Sequence, residues 1–307
     1  MIQPLKIGTL TLPNPLILAP LAGFTDLPFR LLCRRYGAAL AFTEMVSATA
    51  LHYDSKKTFE MLKTTPDDQP LGVQLFGSEP DRMVKAARIV EDHGAAVIDI
   101  NCGCPVKKVI KQNAGAAMMS DPDRLAEMIH QMVSAVKVPI TIKIRSGRTE
   151  NTINILEIAE KLKGTGLSAI TLHPRTADKP YSGNPRWELL KELKAILNIP
   201  VIGSGGLMKA PDIIRMFNET GIDGAMLARG AMGHPWIFAQ TLELLSGQIA
   251  SPEPPVSERI ALMREHLSMM VDIYGEDIAC RMFRTHAHYY IEGWPRASHL
   301  RGQLNNI

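Results

Sequence analysis

A (β/α)8 barrel followed by a small helical domain is the architecture that this 307-residue sequence predicts. Three observations point there. Eight short apolar runs, rich in β-branched residues, recur along the first 250 residues, each followed by a stretch with helical character. Within the runs, polar and apolar residues do not alternate, the pattern of strands buried on both faces of a parallel sheet. Eight βα units is the number that closes a barrel, and no GxGxxG turn follows the first run, as a doubly wound open sheet, the alternative architecture, would have.

The runs are Leu16–Ala19, Ala39–Thr43, Leu71–Phe76, Ala96–Ile100, Ile140–Ile144, Ala169–Leu172, Pro200–Ile202 and Gly224–Leu227. Helix starts stand out between them. Glu79–Pro80–Asp81 opens a segment with Met83, Ala86, Ala87 and Val90 at helical spacing, and His93–Gly94 closes it. Asp121–Pro122–Asp123 opens Leu125–Val136, and Lys209–Ala210–Pro211 opens Ile213–Phe217. A stiff proline-rich linker, Ser251–Pro255, then divides the chain into residues 1–250 and 251–307. Beyond it the sequence reads helical over Ser257–Met270, over Ile278–Ile291 and in a short last piece.

Composition narrows the class. With 46% hydrophobic and 21% charged residues, the chain is neither disordered nor collagen-like. Four cysteines without a CxxC pair fit neither a disulfide scaffold nor a zinc motif, so a reducing compartment and no metal are expected. No basic leader and no apolar run of membrane-spanning length is visible, so the expected location is the cytoplasm, with no membrane partner. A net charge of +3 permits a polyanionic partner without demanding one. Basic residues cluster in two places: Lys107, Lys108 and Lys111, and the C-terminal stretch with Arg281, Arg284, Arg296 and Arg301. Histidines and aromatic residues interleave the second cluster, which suits a nucleic acid.

Barrel chemistry sits on the loops past the carboxyl ends of the strands. The first such loop is Ala19-Pro20-Leu21-Ala22-Gly23, whose small residues let a planar ligand approach the backbone. Glu44 follows the second strand, Gln74 lies on the third, and the fourth runs into Asn101-Cys102-Gly103-Cys104-Pro105. Strand five carries Lys143 and Arg145, and strand six ends in His173-Pro174-Arg175-Thr176. A lysine flanked by Ile142 and Ile144 in a buried strand has to be paired or functional. Gly203-Ser204-Gly205-Gly206 and Ala228-Arg229-Gly230 end the last two strands, where barrels commonly hold a phosphate. An extended CxC segment turns its two thiols to opposite sides, so only one of Cys102 and Cys104 faces the mouth. Cys33 and Cys280 read as small buried hydrophobes.

These motifs together, from Ala19-Pro-Leu-Ala-Gly-Phe-Thr-Asp26 through Asn101-Cys-Gly-Cys-Pro105, Lys143-Ile-Arg145 and His173-Pro-Arg-Thr176 to Arg284-Thr-His-Ala-His-Tyr-Tyr, resemble the tRNA-dihydrouridine synthases, the bacterial B-type subgroup in particular. The resemblance runs nearly end to end. It implies FMN at the barrel mouth, NADPH (or NADH) as electron donor, and reduction of the C5–C6 bond of selected uridines in tRNA by a monomeric enzyme. Carried over by motif, Pro20, Leu21, Ala22, Gln74, Lys143 and His173 surround the flavin ring, and Ser204, Gly205, Gly206, Ala228 and Arg229 hold its phosphate. Cys104 matches the proton donor. Asn101, Arg145, Arg175, Arg281 and Arg284 are expected on the RNA substrate. Where the family reads Gly-Asn-Gly-Asp, this chain has Gly203-Ser204-Gly205-Gly206, and the second thiol of Cys102 is expected to make the site more sensitive to oxidation. A flavin barrel acting on a small pyrimidine and a non-catalytic RNA-binding barrel are the rival readings.

Overall fold

Apolar runs with no polar alternation leave a strand no solvent-facing side, so they pair with one another inside a shell of helices. A computed structural model describes residues 2–304 and places all eight runs in one closed parallel barrel. Its strands are β1 (Leu16–Leu18), β2 (Leu40–Phe42), β3 (Leu71–Phe76), β4 (Val97–Cys102), β5 (Ile140–Arg145), β6 (Ala169–His173), β7 (Val201–Ser204) and β8 (Gly224–Leu227). Each pairs with the next in sequence, and β8 closes on β1 through Ala225 opposite Leu16 and Leu227 opposite Leu18.

Helices return the chain on the outside. Asp26 opens α1 (Leu27–Arg35), its carboxylate accepting the Phe29 amide, with Pro28 in the first turn. The expected α2 spans Pro80–Asp92 and buries Met83, Ala86, Ala87 and Val90; Gly94, at φ +87°, follows its end. Asp121 caps α3 (Pro122–Ala135) on the Arg124 amide. Then come α4 (Ile155–Leu162), α5 (Glu188–Ile196), α6 (Ala210–Thr220) and α7 (Ile237–Leu245). After β2 the return is instead two short turns, Ala48–His52 and Lys56–Glu60.

A two-stranded hairpin, Leu5–Ile7 with Leu10–Leu12, closes the end of the barrel where the strands begin. Its Leu5, Ile7 and Leu12 join Ile17, Leu40, Val97, Ile202 and Met226 in one apolar cluster. With that end plugged, the carboxyl-end mouth is left for a ligand.

After Ser251–Pro255, which forms neither helix nor strand, come α8 (Val256–Tyr274), α9 (Glu276–Tyr290) and α10 (Ala297–Leu304). These helices rest on the barrel through an apolar cluster that joins Leu32 and Trp236 to Leu262, Met270, Phe283 and Tyr290. At its edge Arg35 makes a two-pronged contact with Glu265, at 2.8 and 2.6 Å. Of the two cysteines expected to be buried hydrophobes, Cys33 is buried in α1 while Cys280 is exposed, because it falls on the solvent face of α9 opposite Ala279, Phe283 and Ala287. Among the described residues no helix is long and apolar enough to cross a membrane.

Below the β1–α1 loop, Arg30 is fully buried and all its nitrogens are engaged: Nε and Nη2 donate to Asp68 at 2.9 and 2.7 Å, Nη1 to the Thr25 carbonyl and Nη2 also to the Lys63 carbonyl. Arg34 donates to the other Asp68 oxygen at 3.0 Å. A carboxylate shared by two arginines ties α1 to the loop that leads into β3. Asp68→Ala strands both guanidinium charges, one of them without access to water, and is expected to cost about 3–5 kcal/mol of stability. Urea unfolding measures this; a loss under about 1 kcal/mol would show the charges to be screened like a surface pair.

Candidate active site

Strand periodicity decides which residues of β3, β4 and β5 point into the barrel. Asp99 and Asn101 of β4, Gln74 of β3 and Thr141 of β5 turn inward and form a chain of hydrogen bonds. The Thr141 hydroxyl donates to Asp99 Oδ1 and Gln74 Nε2 to Asp99 Oδ2, both at 2.7 Å. Asn101 Nδ2 donates to Gln74 Oε1 at 2.7 Å, and its Oδ1 accepts the amides of Gly103 and Cys104 at 3.2 and 2.9 Å. The interior polar chain thus ends by clamping the backbone of the cysteine loop. Burial pushes the Asp99 carboxyl up to about 6, against the opposing pull of its two donors and of Lys143.

Arg145 locks the same loop from the other side. Its Nε donates to the Gly103 carbonyl at 2.7 Å and its Nη1 to the Thr176 carbonyl at 3.2 Å. Gly115 packs beneath: at φ +61° it brings its Cα hydrogens against the Cys104 carbonyl, where a Cβ would lie at 2.7 Å. Cys102 is buried at the end of β4, its sulfur 3.8 Å from that of Met118, and Cys104 is half-buried in the loop beyond it. Burial raises the Cys104 thiol above its ordinary value, against the nearby Arg145 and Lys143 charges, so at neutral pH it holds its proton.

Beside this loop lies a cavity of about 150 Å³. Of the residues expected at the mouth, Pro20, Leu21, Lys143, Arg145, His173, Ser204, Gly205, Gly206, Ala228 and Arg229 line it. Ala22 is exposed just outside, while Gln74 is sealed below, both ends of its amide engaged by Asp99 and Asn101. Glu44 pairs loops: its carboxylate accepts the Gly23 amide. Lys143 has its amine lowered to about 8, first by burial and then by the Arg145 charge. His173 is neutral at any physiological pH, because burial and the surrounding Lys143, Arg145, Arg175 and Arg229 charges all disfavour the imidazolium. Arg175 sets its tautomer by donating Nη1 to Nε2 at 3.1 Å, which leaves the ring proton on Nδ1.

Glycine is required at 205, where φ is +94° and a Cβ would stand 2.5 Å from His173 Cδ2. Gly206, at φ +82°, continues the turn. Among the described residues, the amides of both glycines make no intramolecular hydrogen bond. Ser204, where the resembling family has an amide, donates its hydroxyl to the Met226 carbonyl at 3.0 Å and ties β7 to β8. Arg229 stands at the rim with its guanidinium 4.9 Å from the Tyr181 ring, an aromatic lid over the cation that the sequence did not single out. A larger concavity of about 670 Å³, lined by Arg175, Trp187, Lys191 and Arg215, opens on the other side of Gly206.

Arg281 and Arg284 do not line the cavity. They lie on α9, exposed and half-buried respectively. That helix sits against the β1–α1 loop, where the Phe24 ring meets the rings of His286 and Tyr289 edge-on at 5.1 and 5.4 Å. Lys107, Lys108 and Lys111 are exposed just past the cysteine loop.

Residues 17–307 match the family model described as "Dihydrouridine synthase (Dus)". The chain belongs to the dihydrouridine synthase family. It is 36% identical over 302 residues to a probable tRNA-dihydrouridine synthase of Rickettsia bellii, covering 98% of this chain and 93% of that one. It is 37% identical over 303 residues to the tRNA-dihydrouridine synthase B of Vibrio cholerae, covering 99% of this chain and 94% of that one. Among solved structures, histamine dehydrogenase from Rhizobium sp. 4-9 shares the barrel fold at a TM-score of 0.63 and 15% identity, over 87% of this chain; the chain spans half the length of that enzyme.

The Lys143 ammonium is the buried donor of this dihydrouridine synthase's cavity, and it loses its proton as pH rises through about 8. An anionic or acceptor-edged ligand is held by the charged form, so flavin affinity is expected to be full below that pH and to fall above it. Fluorescence titration across pH checks this, and an affinity that is flat from pH 6 to about 9.5, near the ordinary lysine range, would remove Lys143 from the contact.

Proposed function

We propose that this chain is a tRNA-dihydrouridine synthase with FMN in the β7–β8 cavity, residues 1–250 forming the catalytic barrel and 251–307 a tRNA-binding region. The observation that carries the reading is the Cys104 thiol: protonated, half-exposed, and fixed by Asn101 and Arg145 beside a cavity with cations at its floor and rim. The residues present fit the cofactor. Gly205 and Gly206 offer unpartnered amides in a turn that no side chain could enter, and Arg229 adds a cation, which together suit a phosphate. Pro20 and Leu21 give an apolar wall for a planar ring, and Lys143 with neutral His173 gives donors for its polar edge.

Held by Gly205, Gly206 and Arg229 at its phosphate and by Lys143 and His173 at its ring edge, FMN reduced by NADPH or NADH would supply a hydride for C6 of the uracil. Cys104 then delivers its Sγ proton to C5 as general acid, which completes reduction of the C5–C6 bond. A carboxylate or a free thiolate in that place would have no proton to give at neutral pH; the desolvated thiol has one. Negative charge that develops on the C4 carbonyl during the transfer is met by the cations already present, Lys143 and Arg145. Asn101 acts on the loop rather than on the base, since its Nδ2 is committed to Gln74 and its Oδ1 to the Gly103 and Cys104 amides.

The target uridine has to leave its stack to reach a thiol inside a barrel mouth. Arg281 and Arg284 on α9, with Arg175 at the rim and Lys107, Lys108 and Lys111 opposite, provide a basic track to it for a phosphate backbone. The reading puts the enzyme where tRNA is processed, in the cytoplasm, and working as a monomer.

Two measurements test this. Cys104→Ala is expected to keep FMN bound and reducible by NADPH while dihydrouridine formation in tRNA is lost; full turnover by the variant would remove Cys104 as the acid. Replacing Arg281 and Arg284 with alanine is expected to weaken tRNA binding and to lower the salt slope by about 1 for each phosphate no longer neutralised, with flavin reduction unchanged. An unchanged slope would place the RNA elsewhere.

A further inference from the structure

Where the helical region meets the barrel, four buried polar atoms have no partner: Asp26 Oδ2, His266 Nε2, and both ring nitrogens of His286. They come from α1's N-cap, from α8 and from α9, so that the aspartate is more than 200 positions from either histidine in the chain. All three side chains are nearly inaccessible, at 6%, 0% and 1% exposure. One ligand atom of each lies within 4.8 Å of those of the other two. Around them the walls are aromatic: Phe24 and Phe29 pack on His286, and Phe283 edges His266 at 5.3 Å.

Leaving such groups unpaired in a dry interior is costly, so a cluster of them in a native fold calls for an occupant. These atoms make no hydrogen bonds to one another, yet they converge on one point. Separations around a tetrahedral ion with bonds of 2.0–2.2 Å are about 3.4 Å, so the three side chains need close only by roughly 1 Å. The donor chemistry selects the ion: two neutral imidazoles and one carboxylate suit zinc rather than calcium or magnesium. His266 is also held from behind, its Nδ1 lying 3.2 Å from the Tyr290 hydroxyl, the kind of outer contact that orients a metal-ligating histidine.

We propose that Asp26, His266 and His286, with a water as the fourth ligand, form a zinc site that pins α8 and α9 to the barrel. The sequence gives no hint of it, having no CxxC and no close-spaced histidine pair across these positions. Because Arg281 and Arg284 precede His286 on the same helix, the ion would fix their direction relative to the cavity; that consequence rests on the tRNA reading, whereas zinc binding itself does not.

The test uses the full-length protein without a histidine tag. Elemental analysis is expected to find about one zinc per chain, and a chelator is expected to lower Tm, with added zinc restoring it. His286→Gln and Asp26→Asn are expected to hold no zinc and to melt independently of it, and Tyr290→Phe to bind zinc about 10-fold more weakly. Wild-type protein that carries no zinc, takes none up on titration and melts at the same temperature with zinc or chelator overturns the proposal and leaves bound water as the occupant. So does zinc that persists at full stoichiometry in both variants. Neither result bears on flavin reduction or dihydrouridine formation, so the site and the activity fail separately.

Discussion

Asp99 has no exposed surface, and a carboxyl group can stay in a parallel barrel's interior only if donors surround it. Thr141 and Gln74 are those donors, and the rest of the site follows from their geometry. With its amide nitrogen committed to Asp99, Gln74 must present its oxygen to Asn101. Asn101, with its nitrogen so committed, must present its own oxygen to the Gly103 and Cys104 amides. One buried acid therefore sets the direction of two amides and the path of the cysteine loop. A chain of this kind tolerates no partial version, because each link left open strands the next polar group in a dry interior.

Much of this is legible in the sequence, and the limit has a physical cause. Residues whose meaning depends on local spacing are readable: eight apolar runs, the proline-led starts of α2 and α3, and the glycine turn at 205–206. Lys143 announces itself because a lysine in an isoleucine-rich strand has no other explanation. Asp99 sits in the same kind of run and carries the same signal, yet the sequence analysis did not single it out. Residues whose meaning is a contact across the fold leave no periodic trace. The meeting of Asp26 with His266 and His286, and of Tyr181 with Arg229, depends on where helices and loops pack, and single-sequence patterns do not record it. The swap at Ser204 reads in the sequence as a missing ligand group; the hydroxyl is instead a strand-to-strand tie.

The two ends of the barrel divide the work. The hairpin at the closed end is apolar and makes the fold; at the open end almost every inward group is polar and either clamped by another or left facing the cavity. Rigidity there comes from side chains that hold backbone, as Arg145 holds Gly103 and Thr176, and Arg30 holds Thr25 and Lys63. Loop atoms positioned in this way are held by side chains as well as by their own backbone.

The pair of thiols at the end of β4 is expected from the sequence to make the site fragile toward oxidants, and the surroundings of the sulfurs argue the reverse. Oxidants and disulfides react with thiolate, not thiol. Burial raises both thiols, and Cys102 is packed away against the Met118 sulfur at 3.8 Å. The desolvation that keeps a proton on Cys104 also makes its sulfur a poor nucleophile at neutral pH. In the role proposed for Cys104, the proton it would give up is also the one that keeps its sulfur slow to meet an oxidant.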